Sequence, residues 1–399
     1  MEVSGSLNAT LKMKLLAALL TLFLITPTVF GSLPMVSPEE VGVSSERLIY
    51  ANSIIEEGLA KKSYPGAVVM AGRHGKIFFA NSYGHKIITP EQLPTEIDTI
   101  YDLASLTKIF TATAIMILVE RGQILLDDKV ISFYPRFARN GKADVTIEHL
   151  LTHTSGLPAW LPLWQTVKSK DDAIDEICRA NPEAKAGEAY VYSDLGYMML
   201  GFIIEKVTNT TIDDFITQEI LVPLKMNDSM YNPPEELKQR CAATEIDNAY
   251  RHRLIWGEAH DENAFAIGGA SGHAGLFSTA SDLARFCQMF LNYGELDGVR
   301  ILSPLTVMLM SQNHVPSKLG VKRGYGWYIS TSLRGDIFPV GSFGHTGFTG
   351  TSIWIDPTTD SFSIILTNRV HPNRNNTTIN MYRSKFHNPL AAAIVELFD

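Results

Sequence analysis

The spacing of apolar and polar positions sorts the chain into strands near its two ends and helices in between. A serine cap followed by apolar residues at helical spacing in "SSERLIYANSIIEEGLAKK" predicts a first helix. "GAVVMAG" and "KIFFANSYG" come next, separated by "RHGK", and read as two antiparallel strands meeting at Gly75. A second hairpin is predicted where "TSIWID" and "SFSIILTNR" flank the turn "PTTD", and "NMYRSKFHNPLAAAIVELF" has the pattern of a terminal amphipathic helix. Between the hairpins the period is helical, over Ser105 to Arg121, Ile147 to His153, Ser193 to Thr208, Ile212 to Leu221, Ser281 to Tyr293 and Pro304 to Gln312.

This order predicts an α+β fold: an antiparallel sheet flanked by N- and C-terminal helices, with a mostly helical part inserted between its halves. The sheet part is expected over about residues 32–100 and 295–399 and the helical part over about 101–294, with a pocket between them as the natural site. No internal repeat or low-complexity tract interrupts the pattern.

One apolar run does not belong to that core. Lys12 and Lys14 precede Leu15 to Ile25, and Pro27 and the small pair Gly31 and Ser32 follow, which is the layout of a cleavable signal over residues 1–31. A start at Met13 would make that signal more compact. The run is shorter than the roughly 20 residues of a membrane span. The expectation is therefore a secreted or periplasmic protein without a membrane span after cleavage. A net charge of -8 and the lack of a basic stripe argue against nucleic acid as a partner. Cys178, Cys241 and Cys287 have neither metal-ligand spacing nor an even count, so no disulfide framework is expected. Oligomeric state is not legible.

The chemistry starts at "YDLASLTKIF". Ser105 and Lys108 are three apart and share a helical face, and the run after them is apolar nearly all round, so the lysine cannot easily reach water. A serine at a helix start also lies where backbone N–H groups favour a developing oxyanion. Two further segments stand out. "YVYSDLGYMMLG" puts Tyr192 and Asp194 before another apolar helix, and "FGHTGFTGTSIWID" is glycine-rich and leads into a strand. Taken singly, these read as a helix cap and as a bend admitting a neighbouring backbone.

Together, "SLTK", "YSD" and "HTG", with "HLLTHTSGLP", resemble the motif set of the penicillin-recognising serine hydrolases, which include class C β-lactamases, D-alanyl-D-alanine carboxypeptidases and related esterases. The resemblance runs from about Glu40 to the C-terminus. It implies that Ser105 is the acylated nucleophile, that Lys108 and Tyr192 form its base system, and that the N–H groups of Ser105 and Phe348 form the oxyanion hole. Asp194, His345, Thr346 and Gly347 would contact substrate, with Thr346 orienting it. No cofactor is implied. Asp194 stands where asparagine is frequent, and a carboxylate near Lys108 would hold it as ammonium. That charge in turn is expected to lower the pKa of Tyr192. His345 stands where many members have lysine, so a fixed cation for a substrate carboxylate is not expected there.

A fourth stretch, "GEAHDENAFAIGGASGHAGLFSTASDLARF", concentrates His260, Asp261, Glu262, Asn263 and His273. Its two histidines are too far apart for a helical ligand pair, so a cleft-lining loop is favoured over a metal site. With "LTNRVHP" it resembles most the branch containing bacterial N-acetylmuramoyl-L-alanine amidases, which implies that His260, Asp261 and Asn263 face substrate. The expected substrate is a muropeptide or another small molecule. A broad esterase, a weak β-lactamase and an inactive binding protein of the same fold are the alternatives.

Overall fold

The computed structural model describes residues 32–397, and the expected signal over residues 1–31 lies outside the described residues. Seven strands make one antiparallel sheet: β1 (Gly66–Arg73), β2 (Lys76–Ile87), β3 (Leu93–Pro94), β4 (Tyr328–Ile329), β5 (Phe343–Thr346), β6 (Ser352–Asp356) and β7 (Ser361–Thr367). Their order is β4-β5-β6-β7-β1-β2-β3. The two predicted hairpins are thus neighbours, joined where Val68 pairs with Leu366 and Met70 with Ile364.

Both faces of the sheet are covered, and the alternation along β1 shows how. Val68 and Met70 enter the larger core, whereas Ala67, Val69 and Ala71 enter a second layer. Five longer helices pack around the sheet: α1 (Ser45–Ala60), α2 (Thr107–Glu120), α3 (Asp194–Thr208), α4 (Ala280–Leu291) and α5 (Ile379–Ala392). The second layer is filled by Leu48, Ala51 and Ile55 of α1 and by Tyr382, Phe386 and Leu390 of α5. The larger core takes α2, α3 and α4. On α2, Ile109, Phe110, Ala112, Ala114 and Ile115 are all fully buried. Each of the large side chains contributes about 1.5–3 kcal/mol by leaving water, so this helix is anchored on every side.

Several predicted elements change at their ends. Ser105 lies in a short 3-10 turn, Ala104–Leu106, and α2 begins at Thr107. The cause is Ala104, whose φ of 47° is left-handed and breaks the helix before it starts. The stretch from Ile212 is helical over Ile212–Ile216 and then passes into a π-helical turn, Thr217–Leu221. A helix at Lys170–Arg179 is additional; it is mostly charged and buries only Ala173, Ile174, Ile177 and Cys178. A small sheet pairs Tyr101–Asp102 and Met230–Tyr231 with Leu276–Ser278, strands too short to show a period. It seats the segment before Ser105 against the glycine-rich loop. The three cysteines are buried and free. Among the described residues no helix is long and apolar enough to cross a membrane.

Candidate active site

Ser105 sits at the head of α2, and the residues before it are tied down by one buried carboxylate. Asp102 accepts from the N–H of Ala104 and from the N–H of His260, each at 2.7 Å. Those bonds hold the left-handed Ala104 and join the serine turn to the fourth stretch. One turn on, Lys108 is fully buried. Its Nζ donates to Ser105 Oγ at 2.9 Å and to the His273 carbonyl at 3.1 Å, and lies 2.7 Å from Asp194 Oδ1. Thr111 donates to the Gly272 carbonyl at 2.7 Å, so the loop follows the helix for a second turn.

Asp194 and Tyr192 arrive from the N-terminus of α3. Ser193 caps that helix by accepting from Gly196 N at 3.2 Å and donates to the Pro158 carbonyl at 2.7 Å. Beneath Tyr192 lies the His153 ring, 4.3 Å away between centroids, with its Nδ1 accepting from the Ser193 N–H at 3.0 Å. Lys108 Nζ is 5.0 Å from the Tyr192 ring centroid. Burial pulls the Lys108 pKa down, but the Asp194 carboxylate, and Tyr192 after it, outweigh burial and hold the group as ammonium. Burial pushes the Tyr192 hydroxyl up, and Lys108 only partly opposes it, so the net shift is upward. The expectation of a lowered Tyr192 pKa is corrected on that ground: the cost of a phenolate away from water exceeds the attraction of one ammonium.

β5 delivers Thr346, Gly347 and Phe348 to the opposite wall. Gly347 has no room for a side chain, since a Cβ there would stand 2.3 Å from the Leu103 carbonyl oxygen, immediately before the serine turn. Its carbonyl accepts from Arg383 Nη2 at 2.7 Å, and the Phe348 carbonyl accepts from Arg369 Nε at 2.7 Å. In a trans peptide C=O and N–H point oppositely. Anchoring the Gly347 carbonyl on Arg383 therefore also fixes the direction of the Phe348 N–H. His345, expected to bind substrate, is fully buried and donates from Nδ1 to the Thr346 carbonyl at 2.9 Å. It stands behind the wall, because its side chain lies on the core face of β5.

Two lobes of the cleft meet at Ser105, Tyr192 and Phe348. One, of about 310 Å³, is lined by Thr346, Gly347, Asn380, Arg369 and Arg383. Burial lowers the pKa of both arginines, that of Arg383 to about 9 with Arg369 adding to the effect. Neither has an ion-pair partner among the described residues, and Arg383 Nε has no hydrogen-bond partner. The other lobe, of about 420 Å³, is lined by Trp160, Asp194, His260, Asp261, Glu262 and Arg374. There the polar groups are paired: His260 Nε2 meets Glu245 at 3.0 Å, and Arg374 bridges Glu245 and Glu262. Burial pushes the Glu245 carboxyl up, but His260 and Arg374 overcome it and bring its pKa to about 2.

His260 and Asp261 thus reach the cleft, but Asn263 does not. It is fully buried, donating to the Leu161 carbonyl at 2.8 Å and accepting from Trp164 N at 3.0 Å. Its amide is spent on holding the loop that carries Trp160, which corrects the expected substrate contact. Ligand-type atoms of Asp194, Asp261 and His273 lie within 4.8 Å of one another. That cluster is satisfied from inside: Lys108 neutralises Asp194, and His273 Nε2 bonds Asp261 at 2.9 Å. Sequence reasoning missed Asp102, Arg369 and Arg383. A lone arginine at the centre of the amphipathic C-terminal helix was the available signal for Arg383.

Residues 51–387 match the family model described as β-lactamase. The chain is 31% identical over 374 residues to a putative D-alanyl-D-alanine carboxypeptidase of Escherichia coli (strain K12), covering 84% of this chain and 85% of that one. It is 30% identical over 377 residues to an N-acetylmuramyl-L-alanine amidase of Bacillus subtilis (strain 168), covering 84% of each. Among solved structures, EstCE1, a hydrolase with promiscuous acyltransferase activity, aligns with a TM-score of 0.72 at 20% identity over 88% of this chain and 98% of that one, a likeness of fold.

Proposed function

The chain belongs to the β-lactamase family and is a serine hydrolase, and from that premise we propose that it cleaves an amide bond in peptidoglycan-derived muropeptides through an acyl-enzyme on Ser105. The observation that carries the reading is the contact of Ser105 Oγ with Lys108 Nζ at 2.9 Å, beside Tyr192 and at the junction of an arginine-lined and an acid-lined lobe. The names of the relatives support the substrate class. In this reading the protein works outside the cytoplasm, as the basic and apolar pattern of its first residues suggests.

Lys108, held as ammonium, cannot accept the serine proton, so the base is the fraction of Tyr192 present as phenolate, which is small at neutral pH and grows as pH rises. Ser105 Oγ bonds the amide carbon while its proton passes to Tyr192. The oxygen that becomes negative is received by the N–H groups of Ser105 and Phe348. The C–N bond then breaks as Tyr192 returns the proton to the leaving nitrogen, and water, deprotonated by Tyr192, releases the acyl group. Carboxylates on the peptide side are drawn to Arg369 and Arg383, which supply the fixed cations absent at position 345. Mass spectrometry of purified muropeptides, a p-nitrophenyl ester and a cephalosporin incubated in parallel tests this. Release of free lactyl-sugar and peptide is expected. Turnover of the ester or the cephalosporin alone would replace the amidase reading with the esterase or β-lactamase one.

A further inference from the structure

Arg323 is the charge that the steps above leave unused. It precedes β4, is fully buried, and its Nε and Nη1 have no hydrogen-bond partner. No carboxylate pairs with it among the described residues; its guanidinium lies 3.8 Å above the Tyr328 ring centroid and 5.6 Å from that of Tyr192. Its Nη2 faces His345 Nε2 at 3.5 Å. A buried cation without a counter-charge is costly, and a cation–π contact offsets only part of that cost.

The tautomer of His345 shows what is being held. Its Nδ1 meets a carbonyl, which only accepts, so the proton is on Nδ1 and Nε2 turns a lone pair towards Arg323. Burial, with Arg323 and Lys108 adding, keeps His345 neutral. We propose that Arg323, seated on neutral His345, is a positioning residue that supplies the positive potential on this wall of the cleft and favours the deprotonated form of Tyr192. The charge that a lysine at position 345 would carry is thereby moved one layer back. The proposal rests on Tyr192 being the base. Other groups facing Tyr192 are Lys108 from α2, Asp194 from α3, His153 from the loop beneath and Tyr328 and His345 from β4 and β5. Tyr190 and Tyr197 complete the ring of phenols around Arg323. Of all these, Lys108 and Arg323 are the cations, and Lys108 is already matched by Asp194.

The test is the rate of fluorophosphonate labelling of the full-length protein against pH, with melting temperature recorded for each variant. In that reaction Ser105 Oγ bonds phosphorus, fluoride leaves, and the serine proton passes to Tyr192, so no substrate assignment is needed. Arg323→Met should label about tenfold more slowly at neutral pH and move the alkaline limb up by about one pH unit. Its melting temperature should be unchanged or higher, since a cost has been removed. Arg323→Lys should keep the wild-type limb. His345→Lys sets two cations side by side and should lower stability and labelling together, while Arg323→Met/His345→Lys should recover the limb. If Tyr192→Phe abolishes labelling but Arg323→Met leaves the limb in place, the inference falls and the base assignment stands. If Tyr192→Phe labels normally, both fall. Should Arg323→Met fail to fold, a double variant no better than His345→Lys overturns the proposal.

Discussion

On the two sides of Ser105 the protein treats buried charge in opposite ways. Towards α2, α3 and the fourth stretch the polar side chains in contact are paired: Lys108 with Asp194, His273 with Asp261, Arg374 with Glu245 and Glu262, and Asp102 with the N–H groups of Ala104 and His260. Towards β4, β5 and α5, Arg323, Arg369 and Arg383 carry no ion pair with a carboxylate among the described residues. Matched charges hold a shape. Unmatched ones raise the energy of the resting protein and are useful only when an anion arrives, as a phenolate, an oxyanion or a substrate carboxylate. On the proposed function the matched side sets where Ser105 and its neighbours stand, and the unmatched side is there to stabilise negative charge that develops or binds beside them.

The largest expected effect breaks both sides at once. Ser105→Ala removes the group they share and should cut kcat/KM by more than about 10⁴-fold with an unchanged melting temperature. Retained turnover would move the nucleophile elsewhere. Gly347→Ala comes next, because a Cβ must push the Leu103 carbonyl and turn the Phe348 N–H; a fall of about 10²–10³ in kcat is expected, with KM less affected. An intact kcat would show that this N–H is not used.

Asp194→Asn probes the matched side alone. It strands the buried ammonium of Lys108, at a cost of about 3–5 kcal/mol measured by denaturant unfolding. With burial opposed by Tyr192 alone, the Lys108 pKa falls, neutral lysine becomes available as a base, and the alkaline limb of kcat/KM should move to lower pH. Arg383→Met probes the unmatched side. KM for a substrate bearing a carboxylate should rise about 10- to 100-fold, while a neutral ester should change little. Equal effects on the two would remove the anion-binding role of that lobe.

The smallest effect is on stability in acid. Glu245 has a folded pKa of about 2, below its ordinary value, so its contribution is present above the ordinary carboxylate range and is lost as pH falls through the folded value. Glu245→Gln should flatten the decline in melting temperature between about pH 4 and pH 2. An unchanged decline would assign acid lability to other carboxylates.

What could be read in the sequence was whatever leaves a local trace. The hairpins around Gly75 and "PTTD" announce themselves by apolar runs and a turn, and the burial of Lys108 by the unbroken apolar face after it. The pairing of β1 with β7 has no local trace, because its partners lie about 300 residues apart. The site divides in the same way. Ser105, Lys108, Tyr192 and Asp194 were singled out from short motifs, and the fold brings them together. His345 and Asn263 looked as accessible as their neighbours in the sequence, but the strand face on which His345 lies and the loop that Asn263 supports turn both inwards. The arginines were missed because an unpaired guanidinium is defined by the absence of a partner, which only the folded chain can reveal.

On the proposed function Ser105 is made nucleophilic by Tyr192 beside a lysine held as ammonium. Intact-protein mass spectrometry after fluorophosphonate treatment, followed by peptide mapping across a pH series, tests it most directly. One adduct is expected, on the peptide containing Ser105, forming faster as pH rises towards the Tyr192 limb and absent in Tyr192→Phe. An adduct on another residue, or a Ser105 adduct whose rate is the same at every pH and in Tyr192→Phe, would contradict it.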